Sequence, residues 1–340
     1  MNKLFAVTAV LALLCLGTLA QAVTIATVPV GNAGNTADTR LMNDGTSGYG
    51  SVGYNYNVGK YEVTAGQYTD FLNAVGATDT YGLYNTGMAN TSSGSGITRS
   101  GASGSYTYSV ASDFANRPVN FVSWGDSARF ANWLHNSQPT GAQDLSTTED
   151  GAYYLNGATT NAQLLAVNRK TTWKWAVTSE DEWYKAAYYK AGNLNAGYWD
   201  YPTKSNSAPG RDMADASGNN ANYYADSGAY PIDSGKYTTV VGEFQNSDSP
   251  YETFDQGGNV FEWNEAIVYE FAIPYRGLRG GSFLNDGDAL QASNRYYDDQ
   301  TSGDCYIGFR VSQVVPEPSS VLMLGSGILA LAGLIRRRNG

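Results

Sequence analysis

Three short stretches carry a helical apolar period, and long segments rich in Gly, Asn, Ser and Thr separate them. In "EVTAGQYTDFLNAV", Thr64 and Gln67 form a capping box, and Tyr68, Phe71, Leu72 and Val75 follow at helical spacing on one face. In "NFVSWGDSARFANWLHNS", Ser123 is placed to cap and Asp126 complements the helix start. Trp124, Ala128 and Ala131 share a face there, with Phe130 and Leu134 beside them. In "TSEDEWYKAAYYK", Ser179 and Glu182 make a second capping box, and Trp183, Ala186 and Ala187 point inward. The tryptophans fit a core better than a ligand contact. What remains is short strands in long loops, without a fixed-period repeat or a second core, so the spacing predicts a single α+β domain. Residues 85–105 contain almost no large apolar side chain and predict a mobile surface loop; residues 200–221 are similar.

Both ends have the composition of targeting segments. Met1 to Ala22 carries Lys3, an apolar run through Leu16, and Ala20-Gln21-Ala22, which is the pattern of a secretory signal peptide cleaved after Ala22. At the other end, after the domain predicted over 23–314, residues 315–340 carry Pro316-Glu317-Pro318, an apolar run from Val321 to Ile335, and Arg336-Arg337-Arg338. That run is short for a bilayer, which needs about 20 residues. The three arginines after it would hold the C-terminal side in the cytoplasm. The expectation is an exported protein in the cell envelope, on the cell surface or in the medium, anchored in the inner membrane by its tail transiently or permanently.

Of 21 basic and 31 acidic residues, Lys3, Arg336, Arg337, Arg338 and Glu317 lie in these end segments, leaving 17 and 30, a net of −13. Such a domain repels nucleic acid and acidic membrane surfaces and suits cations or neutral polymers. Cys15 falls in the leader, so the domain keeps one thiol, Cys305, and cannot form an internal disulfide. It must rely on size, and roughly 290 residues bury a sufficient core.

Several chemistries find little support. His135 is the sole histidine, whereas a facial iron triad needs two and a carboxylate. Its place near the end of the second helix suits a half-exposed residue favoured by the helix dipole. The adjacent pairs Glu149-Asp150 and Asp298-Asp299 point apart and read as solvated loop charge. "GTSGYGSVG" lacks the Lys-Ser/Thr of a phosphate loop.

Six blocks in order, "VGKYEVTAGQYTDFL", "RPVNFVSWGDSARFANWL", "SEDEWYKAAYY", "FDQGGNVFEWNEA", "LRGGSF" and "GFRV", give the chain its resemblance to the formylglycine-generating enzymes, or sulfatase-modifying factors, over about residues 52–311. The resemblance implies a C-type-lectin-like fold with bound calcium. It also implies an oxygen-dependent oxidase of protein cysteine that holds copper between two cysteines. The positions that match those cysteines, three and eight residues after Ser282, are Asn285 and Leu290. Neither supplies a thiolate, the soft ligand that Cu(I) prefers. Cys305 lies fifteen residues beyond Leu290 and matches neither. The resemblance thus implies the scaffold and argues against copper and against catalysis. The final segment resembles the PEP-CTERM tag of proteins processed by exosortase, with Pro316, Glu317 and Pro318 as its signature.

Hard-cation binding has better support. "FDQGGNVFEW" sets Asp255 and Glu262 around two glycines that permit a kink, and calcium takes six to eight oxygens from carboxylates and carbonyls. By the resemblance, one calcium site comprises Asp255 and Glu262 side chains with Gly258 and Val260 carbonyls. Another comprises Asn222 and Asp233 side chains with Tyr223 and Gly235 carbonyls, although the intervening loop departs from the family in length. The same residues also suit plain turns. The family's peptide groove corresponds to the segment after Ser282, where Asn285, Asp286, Asp288, Asn294, Tyr296, Tyr297 and Asp298 offer polar groups and aromatic faces. Three functions stay open: a calcium-stabilised domain that binds a peptide, protein or glycan; an oxidase with atypical ligands; and an architectural envelope or matrix component.

Overall fold

The computed structural model describes residues 22–191, 197–225, 232–233 and 235–315. The expected leader through Gln21 and the segment from Pro316 onward, including Arg336, Arg337 and Arg338, lie outside the described residues.

The strands are β1 (Thr27–Val30), β2 (Tyr56–Gly59), β3 (Ile97–Ser100), β4 (Thr107–Val110), β5 (Trp175–Val177) and β6 (Tyr189–Lys190). They continue with β7 (Gly197–Tyr198), β8 (Phe261–Glu270), β9 (Ile273–Arg279), β10 (Tyr296–Asp298), β11 (Ile307–Phe309) and β12 (Val311–Val314). The helices are α1 (Ala65–Val75), α2 (Trp124–His135), α3 (Asn161–Leu165) and α4 (Glu180–Tyr188). One sheet has the order β1-β2-β12-β5 and a second the order β10-β9-β8-β11. The second is antiparallel except where β11 runs parallel to β8. Arg310 is the single residue between β11 and β12, so "GFRV" stitches one sheet to the other.

Among the described residues, all four α-helices begin with a capping box, at Thr64, Ser123, Thr160 and Ser179. Each box satisfies donors that a helix start leaves open, so the chain can enter helices of only 5 to 12 residues without long periods. The predicted apolar faces of α1, α2 and α4 are all buried. Tyr68 and Phe71 of α1 meet Phe130 of α2 at 6.0 and 5.3 Å between ring centroids, and Phe130 meets Phe309 of β11 at 5.3 Å. Stacked and edge-to-face aromatic packing of this kind fastens short elements without disulfides.

Two expectations need correction. Residues 85–105 are not a featureless loop: Thr86–Ala89 forms a 3₁₀ turn, and β3 pairs with β4 in a hairpin. Met88 and Ile97, the few apolar side chains available, are fully buried and hold it down. Nor is Glu149 solvated. It lies 2% exposed, and both its oxygens bond Arg129 at 2.7 and 3.0 Å, while its neighbour Asp150 turns away to Lys170.

Candidate functional site

β9 ends at Arg279, and Gly280 and Gly281 then take φ of 100° and 73°, a region that disfavours side chains. A Cβ on Gly280 would stand 2.7 Å from the Gln256 carbonyl oxygen. This turn delivers Ser282, fully buried, to Asn285. The Ser282 hydroxyl donates to Asn285 Oδ1 at 2.6 Å, the Ser282 N–H donates to the same oxygen at 3.1 Å, and the Asn285 N–H returns to the Ser282 carbonyl. At the first position where the resemblance places a thiolate, then, an amide closes a small turn.

A 3₁₀ turn over Gly287–Leu290 follows and places Leu290 inside. Leu290 is fully buried in a cluster with Tyr201, Ala221 and Ala289. The second thiolate position is therefore part of a core. Cys305 sits elsewhere, at the entry to β11, where its carbonyl accepts from Asn120 Nδ2. Burial, and then the Asp304 charge, raise its pKa, so it is held as the thiol at neutral pH. The residues present do not fit copper.

The remaining residues predicted for the groove divide into two groups. Asp286 and Asp288 are exposed beside Asn285, with Asp288 accepting from Gln291. Tyr296, Tyr297 and Asp298 form β10 at the edge of the second sheet, against Leu278, Gly277 and Arg276 of β9. Asn294 links the groups: its carbonyl accepts from Arg279 at 2.7 Å. The rings of Tyr275 and Tyr297 lie 4.8 Å apart, and Tyr296 stacks on Phe261 at 5.1 Å. The structure thus joins a polar turn to an aromatic edge. A cavity of about 520 Å³ lies away from them and is lined by Ile25, Glu62, Gln67 and Val241 among others.

Two buried charge clusters flank this segment. In one, Glu180 at the start of α4 takes Arg295 through both oxygens at 2.7 and 2.8 Å, and Arg279 at 2.8 Å. Arg295 reaches on to Asp44. Burial works to raise the Glu180 pKa, but the two guanidinium groups outweigh it and leave the carboxyl below its ordinary value. In the other, Glu262 holds Arg310 through both oxygens at 2.8 and 2.9 Å and accepts from Trp183 Nε1 at 2.7 Å. Glu62 and Asp255 stand close by. Glu62 is 2% exposed; one oxygen accepts from Asn259 and the other has no partner. Burial, then the Asp255 charge, push its pKa well up.

The residues of the two calcium sites implied by the resemblance are neighbours. The Asn259 N–H donates to the Asn222 carbonyl at 2.7 Å, and a Cβ on Gly258 would lie 2.2 Å from that oxygen. Asp255, Gly258 and Asn259 all take positive φ, which is the kink expected there. Fit to a hard cation is uneven. One Asp255 oxygen accepts from the Gly242 N–H, and both Glu262 oxygens are engaged by Arg310. At the other site, Asn222 donates to the Tyr237 carbonyl and Asp233 pairs with Arg117, beside Tyr223 and Gly235. Among the described residues, no group of three or more His, Cys, Asp or Glu is placed to hold a metal. A cation here would draw on Asp255, the Gly258 and Val260 carbonyls, and the orphaned oxygen of Glu62, which the sequence reading missed. Glu62 precedes a capping box in "KYEVT", and nothing there distinguishes it from an ordinary exposed acid.

His135 ends α2 as expected, but its Nδ1 accepts from the Lys174 N–H at 3.1 Å. Burial, then Lys174 and Lys170, lower its pKa, so it is a neutral acceptor and not a charged partner of the helix dipole.

An irregular α+β domain with short capped helices and two small sheets joined at one arginine is the C-type-lectin-like architecture. The solved structures agree. A protein described as CarF superposes with a TM-score of 0.50 and 18% identity over 86% of this chain and 99% of its own. Variable protein 1 of Treponema denticola gives 0.52 and 15% over 87% and 99%. The family model of the sulfatase-modifying factor enzyme 1-like domain matches residues 21–314. The chain belongs to the sulfatase-modifying factor family. The PEP-CTERM protein-sorting motif matches residues 314–338, the mark of an exported protein handled by exosortase. Comparison with curated protein sequences finds no match.

Proposed function

We propose that this chain keeps the family scaffold without its oxidase reaction and acts in the envelope as a calcium-stabilised binding protein. The observation that carries this reading is the pair of residues at the thiolate positions: Asn285, tied to Ser282, and Leu290, sealed among Tyr201, Ala221 and Ala289. Two-coordinate Cu(I) needs two soft donors, and one distant, protonated thiol cannot provide them. The test is anaerobic Cu(I) titration followed by mass spectrometry of a Cys-x-Pro-x-Arg peptide, with Cys305→Ser as control. No stoichiometric uptake and an intact peptide thiol are expected. Stoichiometric binding with loss of that thiol would restore the oxidase reading.

The ligand surface in this reading is the polar turn at Asn285 with the tyrosine edge of β10, and it receives a peptide, protein or glycan. Removing Asn285 and Tyr297 side chains together should abolish binding on peptide and glycan arrays; undiminished binding would place the ligand elsewhere. Calcium enters through the kink at Asp255–Val260. A bound cation adds stability by mass action, which suits a loop-rich domain without disulfides. Chelation should lower the melting temperature, and an unchanged melting curve would remove calcium from the proposal. The sorting motif also supports an architectural role in the envelope.

A further inference from the structure

The longest strands of the fold, β8 and β9, make a hairpin that ends in bare apolar side chains. Phe271 is 92% exposed, and Tyr269 and Ile273 flank it at 68% and 55%. The two tip residues, Phe271 and Ala272, both take positive φ, at 46° and 67°. Tight hairpin turns of this kind prefer Asn-Gly because side chains resist that region. Here a phenylalanine occupies it with nearly all of its side chain exposed. Behind the tip, the Tyr275 and Tyr297 rings pack at 4.8 Å, tilted to one another, and the Tyr297 hydroxyl bonds Glu270.

Where the chain leaves the fold identifies what meets this tip. The Glu265 N–H donates to the Thr178 carbonyl, and the Thr178 N–H donates to the Arg310 carbonyl, so β8, β5 and the β11–β12 junction meet at one level. Since β11 runs parallel to β8, and β12 continues from β11, both β8 and β12 leave that level in the same sense. β8 arrives at the Phe271 tip. β12 arrives at Val315, itself exposed, and after five intervening residues the sequence begins the apolar run from Val321 to Ile335. The six residue steps from Val315 to Val321 reach at most about 22 Å, so a tail seated in a bilayer holds this end of the domain against the lipid surface.

We infer that the β8–β9 tip docks into the interface of a lipid bilayer, with Phe271 inserted and Tyr269 and Tyr275 at headgroup level. Aromatic side chains favour that layer because it offers an apolar environment to the ring and a wet one to the hydroxyl. The inference rests on the expectation that the apolar tail enters the membrane. Glu270 at the tip and the net charge of −13 favour zwitterionic over anionic lipid.

The test uses the full chain with Phe271→Trp in phosphatidylcholine vesicles carrying bromine on the upper acyl carbons. Leu41→Trp is the control, because its neighbour Met42 contacts Arg279 at the opposite end of β9 from the tip. Flotation reports tail insertion independently. For the vesicle-bound chain, after subtraction of the wild-type signal from its seven tryptophans, the emission contributed by the indole at 271 should be quenched relative to unbrominated lipid, and that contributed at 41 should not change. Flotation without quenching at 271 would overturn tip docking and leave the tail reading intact. Failure to float would overturn both. A dimer lost on Phe271→Ser, with an unquenched tip, would show that a second copy of the chain covers it and would also overturn the inference.

Discussion

The two buried charge clusters beside the Gly280–Gly281 turn use the same residue types and balance them differently. Around Glu180, the arginines Arg279 and Arg295 face carboxylates from Glu180 and Asp44, two against two. Around Glu262, one arginine, Arg310, faces Glu62, Asp255 and Glu262, one against three. The first cluster is complete within the protein. Its members fix α4 against β9 and the segment leading to β10, and nothing further need bind. The second holds more carboxyl groups than its arginine can neutralise, so burial and mutual repulsion push Glu62 and Asp255 towards the protonated form, and it keeps a buried oxygen without a donor. An uncompensated buried charge is costly, so this cluster invites a cation where the first does not. Both clusters occupy the surroundings of a site whose soft metal ligands are missing.

The largest effect is expected from Arg310→Met. It would leave three neighbouring carboxylates without their guanidinium and unhook Gly59 and Phe254, whose carbonyls Arg310 also binds. Loss of about 3–5 kcal/mol is expected, as for breaking a buried pair, measured by urea denaturation. A loss no larger than that of a surface substitution would show that the surplus charge is not felt.

Glu180→Gln should cost about 2–3 kcal/mol, since a neutral amide keeps part of the hydrogen bonding. Its pH dependence sharpens the contrast. Glu180 lies below its ordinary value of 4.5 in the folded protein, so its contribution is complete above that value and is lost as pH falls through the folded one. Stability of the wild-type protein should therefore fall more steeply below about pH 4.5 than that of the variant. Identical acid limbs in denaturation at a series of pH values would break the picture of a compensated cluster.

The smallest effect is expected from Glu62→Gln. In chelator the variant should match wild type to within about 1 kcal/mol, because burial and the Asp255 charge already push the Glu62 carboxyl towards its neutral form, which an amide mimics. Added calcium should then raise its melting temperature less than that of wild type. Marked destabilisation in chelator would mean that Glu62 is already compensated, and the two clusters would be alike.

The capped helices and their inward faces were legible in the sequence because capping and periodicity act within a few residues. The missing thiolates were legible for the same reason: a side chain without sulfur lacks it in any fold. The burial of Glu149 was not legible, because its partner Arg129 stands twenty residues away on α2. His135 misled in the same way, its acceptor role depending on a backbone N–H thirty-nine residues on. Phe271 is visible in "YEFAIPY" as an apolar residue between strands, yet its exposure depends on how far β8 and β9 extend beyond the sheet.

The sequence alone determined where the helices start, that the domain has no disulfide, that its charge is negative, and that an amide and an aliphatic group replace two thiols. Those properties belong to single residues or to neighbours within one helical turn. Only the tertiary structure decided that Leu290 is core, that one carboxylate cluster is balanced and its neighbour is not, and that the Phe271 tip stands exposed. These are sums over residues far apart in the chain, and burial and Coulomb energy depend on distance in space, which local sequence does not encode.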